Sequence, residues 1–219
     1  MIDNKAFHHF SSGLYLLSTA VDGKNSGCII NTALQVTSKP FQISVTVNKE
    51  NYTEQLMEKS GVFSVSALNE DADMDLIGVF GFKSSKDIDK FAGFNVKNDI
   101  NGVPYVDEKS AARFSCKIIK SLDVGTHMIF VGEVVEAEVM SGNAMTYSYY
   151  RQVVKGGTPA KASSYIPIVE EDKKSTEGLK IVGFKCGVCG YIHKGDTLPK
   201  DFTCPICGQG AEVFSPIYE

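Results

Sequence analysis

Four cysteines carry the most explicit chemistry in this sequence. Cys186-Gly187-Val188-Cys189-Gly190 and Cys204-Pro205-Ile206-Cys207-Gly208 are two C-x-x-C pairs separated by fourteen residues. Each pair lets one tight turn present two thiolates to a single ion. Four thiolates around that ion make a tetrahedral sulfur cage, which selects zinc or iron over hard cations such as magnesium. By spacing alone the arrangement reads as a structural zinc ribbon. Gly190 and Gly208 supply the positive φ that the chain needs where its amides curl back toward the sulfurs. His193 lies between the pairs, and with four thiolates available it is expected to be a solvated loop histidine.

The residues around the cysteines add a second line of inference. Phe184, Tyr191, Phe202 and Phe214 crowd the same short segment. A unit of about forty residues folds only around a staple and a compact core, so these aromatics are expected to be packing. The pattern F-x-C-x-x-C-G-Y, then D-F-x-C-P-x-C-G, then a late phenylalanine resembles rubredoxin over about residues 178–219. Phe202 stands where that family often has tryptophan, and the short gap is similar to the rubredoxin-like tails fused to rubrerythrins. The resemblance implies one iron held by Cys186, Cys189, Cys204 and Cys207, a one-electron site. A zinc ribbon is the alternative.

The chain has 219 residues, 43% hydrophobic and 22% charged, with a formal charge of −4. Such a composition suits one domain of roughly 150–170 residues beside the small one. The absence of any apolar run of about eighteen residues argues against a membrane span. Met1-Ile2-Asp3-Asn4-Lys5 has no basic flank leading into an apolar stretch, so no signal peptide is expected. Cys28 and Cys116 are too few for a disulfide scaffold, which suits a reducing cytoplasm. The lack of a basic patch gives nucleic-acid binding no support.

The elements that must position any site read mostly as strands. A short helix is expected at Asp3–Phe10 and a strand from Gly13 to Val21, ended by Asp22-Gly23. A second strand through Gly27–Ile30 is expected to continue through Ala33–Val36. Phe41–Val47 alternates cleanly, and Val62–Ala67 is a further strand. Asn51 should cap a helix stopped by Gly61, and Asp73–Phe80 reads as another, with Met74, Ile77 and Phe80 on one face. Residues 81–105 are irregular, and long strands return at Ala111–Ser121 and His127–Met140. Many β-branched runs and few helices predict an antiparallel barrel. Lys155–Pro159 reads as a loop, and the charged run 169–177 as a linker between a body (1–168) and a tail (178–219). About ten such residues reach at most ~35 Å, which ties the tail to its body.

Within the body, Ser26–Pro40 gathers small hydroxyl and amide side chains where two strands meet. That suits a planar, hydrogen-bonding cofactor with a phosphate, and it also suits plain turn chemistry. Asn48–Thr53 follows a strand and opens a helix, where free amides and the dipole favour an anion. Gly125-Thr126-His127-Met128-Ile129-Phe130-Val131-Gly132-Glu133-Val134 places a histidine at a strand start. Together these stretches resemble the flavin reductase family over about residues 3–165. The family motif often reads G-D-H-x-x-F-x-G-x-V, so Thr126 replaces an aspartate and leaves His127 without its usual acidic neighbour.

This resemblance implies a split β-barrel that binds FMN, in homodimers with the flavin near the subunit interface. Matching positions imply Asn31, Thr32 and Ala33 at the flavin, Thr37 nearby, and Asn48 and Lys49 along its edge. They imply Thr53 with Ser85 and Lys86 at the phosphate, and His127 beside the ring or the incoming nicotinamide. Lys86 reads equally as a solvated lysine, His127 as a barrel histidine, and Phe82 as core or as a ring stacked on the flavin. No G-x-G-x-x-G opens a helix, so NADH or NADPH is expected to lie directly against the flavin.

A flavin body fused to an iron tail resembles the high-molecular-weight rubredoxins of anaerobes. That resemblance implies electron transfer from NAD(P)H through FMN to iron, and on to a protein acceptor such as a flavodiiron protein that reduces oxygen or nitric oxide. Two other readings stand beside it: a flavin reductase that releases reduced FMN, and a non-catalytic flavin-binding protein with a zinc-ribbon docking module.

Overall fold

Strict alternation decides the first layer. In β4 (Phe41–Asn48) Ile43, Val45 and Val47 are buried, while Gln42, Ser44 and Thr46 are only half-buried on the opposite face. The computed structural model describes residues 2–154, 162–163 and 180–219. The expected linker 169–177 and the loop 155–159 lie outside the described residues.

Seven antiparallel strands form one sheet in the order β2-β1-β5-β8-β9-β4-β3. They are β1 (Tyr15–Val21), β2 (Lys24–Ile30), β3 (Ala33–Ser38), β4, β5 (Val62–Leu68), β8 (Ser110–Asp123) and β9 (His127–Val139). The expected continuity of β2 into β3 is corrected here. The two strands occupy opposite edges of the sheet, yet only Asn31 and Thr32 separate them. Three peptide steps span at most about 11 Å. The sheet therefore has to curl until its edges nearly meet, and because no ladder joins β2 to β3 the barrel is split at that point.

Leu17, Cys28, Val45, Phe63, Val65, Cys116 and Phe130 fill the barrel. Helix α1 (Tyr52–Ser60) starts where Thr53 donates its amide to the Asn51 side chain and stops at left-handed Gly61, φ 69°. Helix α2 (Met74–Phe82) is capped by Asp73, whose carboxylate accepts from the Asp75 and Leu76 amides. Its buried Leu76, Ile77 and Phe80 pack with Leu14, Leu16, Phe91 and Tyr150 in a second core. The irregular stretch that follows holds a small ladder of β6 (Val96–Asn98) on β7 (Pro104–Val106). The N-terminal turn is a 3-10 helix, Asn4–His9. In the tail, β10 (Ile181–Cys186), β11 (Ile192–Lys194) and β12 (Phe214–Tyr218) form a three-stranded sheet in the order β11-β10-β12. Among the described residues no helix is long and apolar enough to cross a membrane.

One glycine of the histidine-bearing strand has a packing reason. A Cβ on Gly132 would lie 2.6 Å from the Phe63 ring and 2.8 Å from Cys116 Cβ, contacts a close-packed core does not accommodate. Gly132→Ala is therefore expected to destabilise the body by about 1–3 kcal/mol, read as a lowered urea midpoint. Phe63→Leu added to it should recover part of the loss. An unchanged midpoint in the single variant would show that the ring moves aside freely.

Candidate functional site

The two C-x-x-C turns are built alike. Gly190 and Gly208 take φ of 81° and 72°, and their amides return to the Cys186 and Cys204 carbonyls at 2.9 Å. The four thiol sulfurs lie within 4.8 Å of one another, with Cys186 3.7 Å from Cys207 and Cys189 3.4 Å from Cys204. Sulfurs held about 2.3 Å from a common centre sit roughly 3.8 Å apart, so the donor set fits one tetrahedral ion. Burial pushes the Cys189 thiol up, and Cys207 up to about 11. Burial also raises Cys204, but the Cys207 and Ile206 amides aimed at it outweigh that and hold it down. A cation in the cage reverses the cost by converting buried thiols to paired thiolates. The Tyr191 amide serves Cys189, and the Gln209 amide serves Cys207.

The aromatics pack around this cage as expected. Phe202 stacks on Tyr191 at 14° between planes and meets Phe214 edge-on at 5.3 Å. His193 differs from expectation: it stands on β11, half-buried, with its ring 4.7 Å from Phe202. Alternation along the strand turns it onto the aromatic core instead of leaving it in a solvated loop.

A cavity of about 450 Å³ opens beside the barrel split, within the size range of cofactor pockets. Asn31 lines it at the barrel split, with Asn48 from the end of β4 and His127 from the start of β9 beside it in the ladder. The Thr126 hydroxyl shares a 2.8 Å hydrogen bond with His127 Nδ1, and so fixes the ring where the family has an aspartate. Asn51 and Tyr52, opening α1, line it as well, and so do Lys83 and Ser84 beyond α2. Backbone amides and an exposed lysine suit a phosphate there. Phe82, Tyr147 and Tyr150 form an aromatic side, and Val188 and Gln209 of the tail complete the lining.

The other sequence-predicted residues fall around this cavity without lining it. Thr32 bonds Asn31 and Ser163 at 3.1 and 2.7 Å. Ala33 faces a separate apolar hollow with Leu34, Phe41 and Phe114. Thr37 accepts from the Lys39 amide out on β3. Lys49 pairs with Asp123 at 2.5 Å. The Thr53 hydroxyl is buried against Ser26, 2.9 Å away, and Ser85 turns back onto the Gly27 backbone. Lys86 is exposed. Glu54, buried beside these, is pushed up to about 7 by burial and by Glu58.

Sequence reasoning missed Lys83, Ser84, Tyr147, Tyr150, Val188 and Gln209. The Tyr147-Ser148-Tyr149-Tyr150 cluster behind a capping Thr146 is the one local signal that was available. Lys90 was missed as well. It is buried, and its Nζ donates to the Gly27 and Phe80 carbonyls at 2.9 and 3.0 Å, which ties α2 to β2. Burial lowers it to about 8.

Residues 7–158 match the flavin reductase like domain family, and residues 184–215 match the rubrerythrin, rubredoxin-like domain. The chain is 37% identical to a high molecular weight rubredoxin of Moorella thermoacetica, over 99% of this chain and 100% of that one. It is 43% identical to a ferric-chelate reductase (NAD(P)H) of Archaeoglobus fulgidus, over 75% of this chain and 98% of the relative. Among solved structures it resembles an FMN-binding protein from Thermus thermophilus, TM-score 0.57 at 22% identity, over 62% of this chain and 76% of the other.

The cage makes a direct prediction, because metal binding supplies the folding energy of so small a unit. Cys204→Ser should lose stoichiometric metal and open β10–β12 to hydrogen exchange, while the body stays folded with an unfolding transition of its own. Full metal content in the variant would contradict the ligand assignment.

Proposed function

Because this chain belongs to the flavin reductase-like family and carries a rubredoxin-like domain at its end, we propose that it is an NAD(P)H-dependent electron carrier. In this reading electrons pass from reduced nicotinamide to FMN in the body, to iron in the tail, and on to a protein acceptor such as a flavodiiron protein. An oxidoreductase role in flavin-mediated electron transfer follows from family membership. When bound, FMN accepts a hydride and releases electrons singly, and a four-thiolate iron takes one at a time.

The chain's own residues divide the work. Asn31 and Asn48 present amides to the ring edge, and Thr32 and Ser163 hold Asn31 in place. Ala33 and Thr37 on β3 and Lys49, held by Asp123 just past β4, flank the residues that take the ring without lining the cavity themselves. Lys83, Ser84 and the opening of α1 take the phosphate, and Thr53, Ser85 and Lys86 shape that end from behind. His127, oriented by Thr126, faces the nicotinamide. The body (1–168), linker (169–177) and tail (178–219) act as one unit. The observation that carries the reading is a shared wall: the cavity lined by Asn31 and His127 is also lined by Val188 and Gln209. Val188 immediately precedes one metal-ligand cysteine, and the Gln209 amide serves another.

The body also leaves large apolar side chains bare around the hollow that holds Ala33: Leu34 is 66% exposed and Phe41 61%. A homodimer covering that face fits both the composition and the family expectation. Sedimentation at micromolar concentration tests it, and a monomer there would reject it.

A second reading has one observation in its favour. The ferric-chelate reductase relative matches only about the body while covering 98% of its own length, so a chain of this family exists without the tail. Stopped-flow mixing of the loaded full chain with NADH or NADPH separates the two readings. Bleaching of the iron–thiolate band at a rate unaffected by dilution is expected, since tethering replaces collision. Flavin reduction without iron bleaching would overturn the carrier reading in favour of release of reduced flavin.

A further inference from the structure

We propose that the metal domain is a working wall of the flavin cavity, seated on α2 at Gly78, so that its docking and the retention of FMN are one coupled equilibrium. This rests on FMN occupying the cavity as proposed above. Gly78 sits buried in the interior of α2, where glycine is a far poorer helix former than alanine. A Cβ there would lie 3.0 Å from Ile206 Cγ2 of the tail. Gly81 in the same helix has no such need, since its Cβ would meet Ile29 at an ordinary 3.6 Å. Gly78 is thus a position where a side chain of the tail rests directly against the helix.

The seat connects directly to both centres. Ile206 lies between Cys204 and Cys207, and its amide serves the Cys204 sulfur. One turn along α2 from Gly78, on the same face, Phe82 packs against the four cysteines and lines the cavity. Tyr150, packed in the second core with Ile77 and Phe80, lines the cavity too. Val188 and Gln209, one from each metal turn, close that side. With the tail removed, this side of the cavity opens to water and a bound flavin loses those contacts. Linkage then works in both directions: a flavin held partly by the tail holds the tail on the body by the same factor. Within a family that includes FMN reductases, this turns a diffusible flavin into a resident one.

The test uses the full chain with redox-silent zinc in the cage, flavin removed and FMN titrated by quenching of its fluorescence. Gly78→Leu fills the seat with a better helix former, so α2 itself should hold. Its Kd for FMN should rise roughly tenfold, within the usual range of coupling between sites. Hydrogen exchange should speed up along residues 74–82 and 186–189. Adding Ile206→Ala moves the bulk from one side of the contact to the other and should restore both readings toward wild type. A Kd unchanged by Gly78→Leu overturns the proposal in either of two ways: with exchange also unchanged there is no seat, and with exchange raised there is no coupling. Failure of the wild-type zinc chain to bind FMN would instead strike the proposed function, which the iron-bleaching experiment tests separately.

Discussion

Two residues have to bridge opposite edges of a seven-stranded sheet, and much of the body follows from that constraint. Asn31 and Thr32 are the whole connection between β2 and β3. A flat sheet would hold those strands tens of ångströms apart, given about 4.8 Å between neighbouring strands, so the sheet must roll up. The rolled sheet encloses Phe63, Val65 and Phe130 and leaves a seam where backbone groups have no strand partner. A polar ligand is best received at such a seam, because its hydrogen bonds replace ladder bonds that the split forgoes. Asn31 stands in that seam, and Asn48 and His127, paired in the neighbouring ladder, come to the same cavity. The closure that makes the core therefore also makes the site.

The tail obeys a different constraint. Four thiols are buried, with exposures of 1, 1, 1 and 8%, in a unit whose remaining core is a handful of half-buried aliphatic and aromatic side chains. Burying neutral thiols side by side gives little stability, whereas four thiolates around a cation give the unit its fold. Amides from Tyr191, Ile206, Cys207 and Gln209 aim at the sulfurs, so the backbone is already arranged for negative charge there. These same turns supply Val188, Ile206 and Gln209 to the body. A metal site that organises its own turns thereby organises the surface that docks.

What the sequence revealed and what it concealed follow the range of the interactions involved. The cysteine pairs, the Asn51 and Gly61 caps and the alternation of Phe41–Asn48 are local, decided within a few residues, and all were legible. The apparent run from β2 into β3 misled because two polar residues between apolar stretches look like a bulge. Only the global strand order shows that the chain changes edges. The family resemblance implies Thr53 and Ser85 at the phosphate, yet nothing in their neighbourhood along the chain shows what their hydroxyls touch. Their partners, Ser26 and Gly27, lie on β2, which local reading could not bring beside them. Gly78 resisted most. Its reason is Ile206, 128 positions along the chain, and a mid-helix glycine alone gives no direction in which to search.

Helix α2 is where these constraints meet, and the way it ends explains how. It has no glycine cap, since Lys83 at its C-cap is extended, and no basic residue in its last turn. Its final carbonyls would be left without partners. Lys90 supplies the missing cation from eight residues downstream of the helix end, donating to Phe80 O and to Gly27 O of β2. Burial lowers its affinity for a proton, but the two carbonyls and the negative end of the helix dipole favour the charged form. The result is a fixed distance between the end of α2 and the strand next to the barrel seam. Phe82, Lys83 and Ser84 follow directly from that fixed point into the cavity wall, and Gly78 lies one turn before Phe82 under the metal domain. A single buried lysine thus sets the position of the helix that faces the flavin cavity at one end and receives the metal turns along its side.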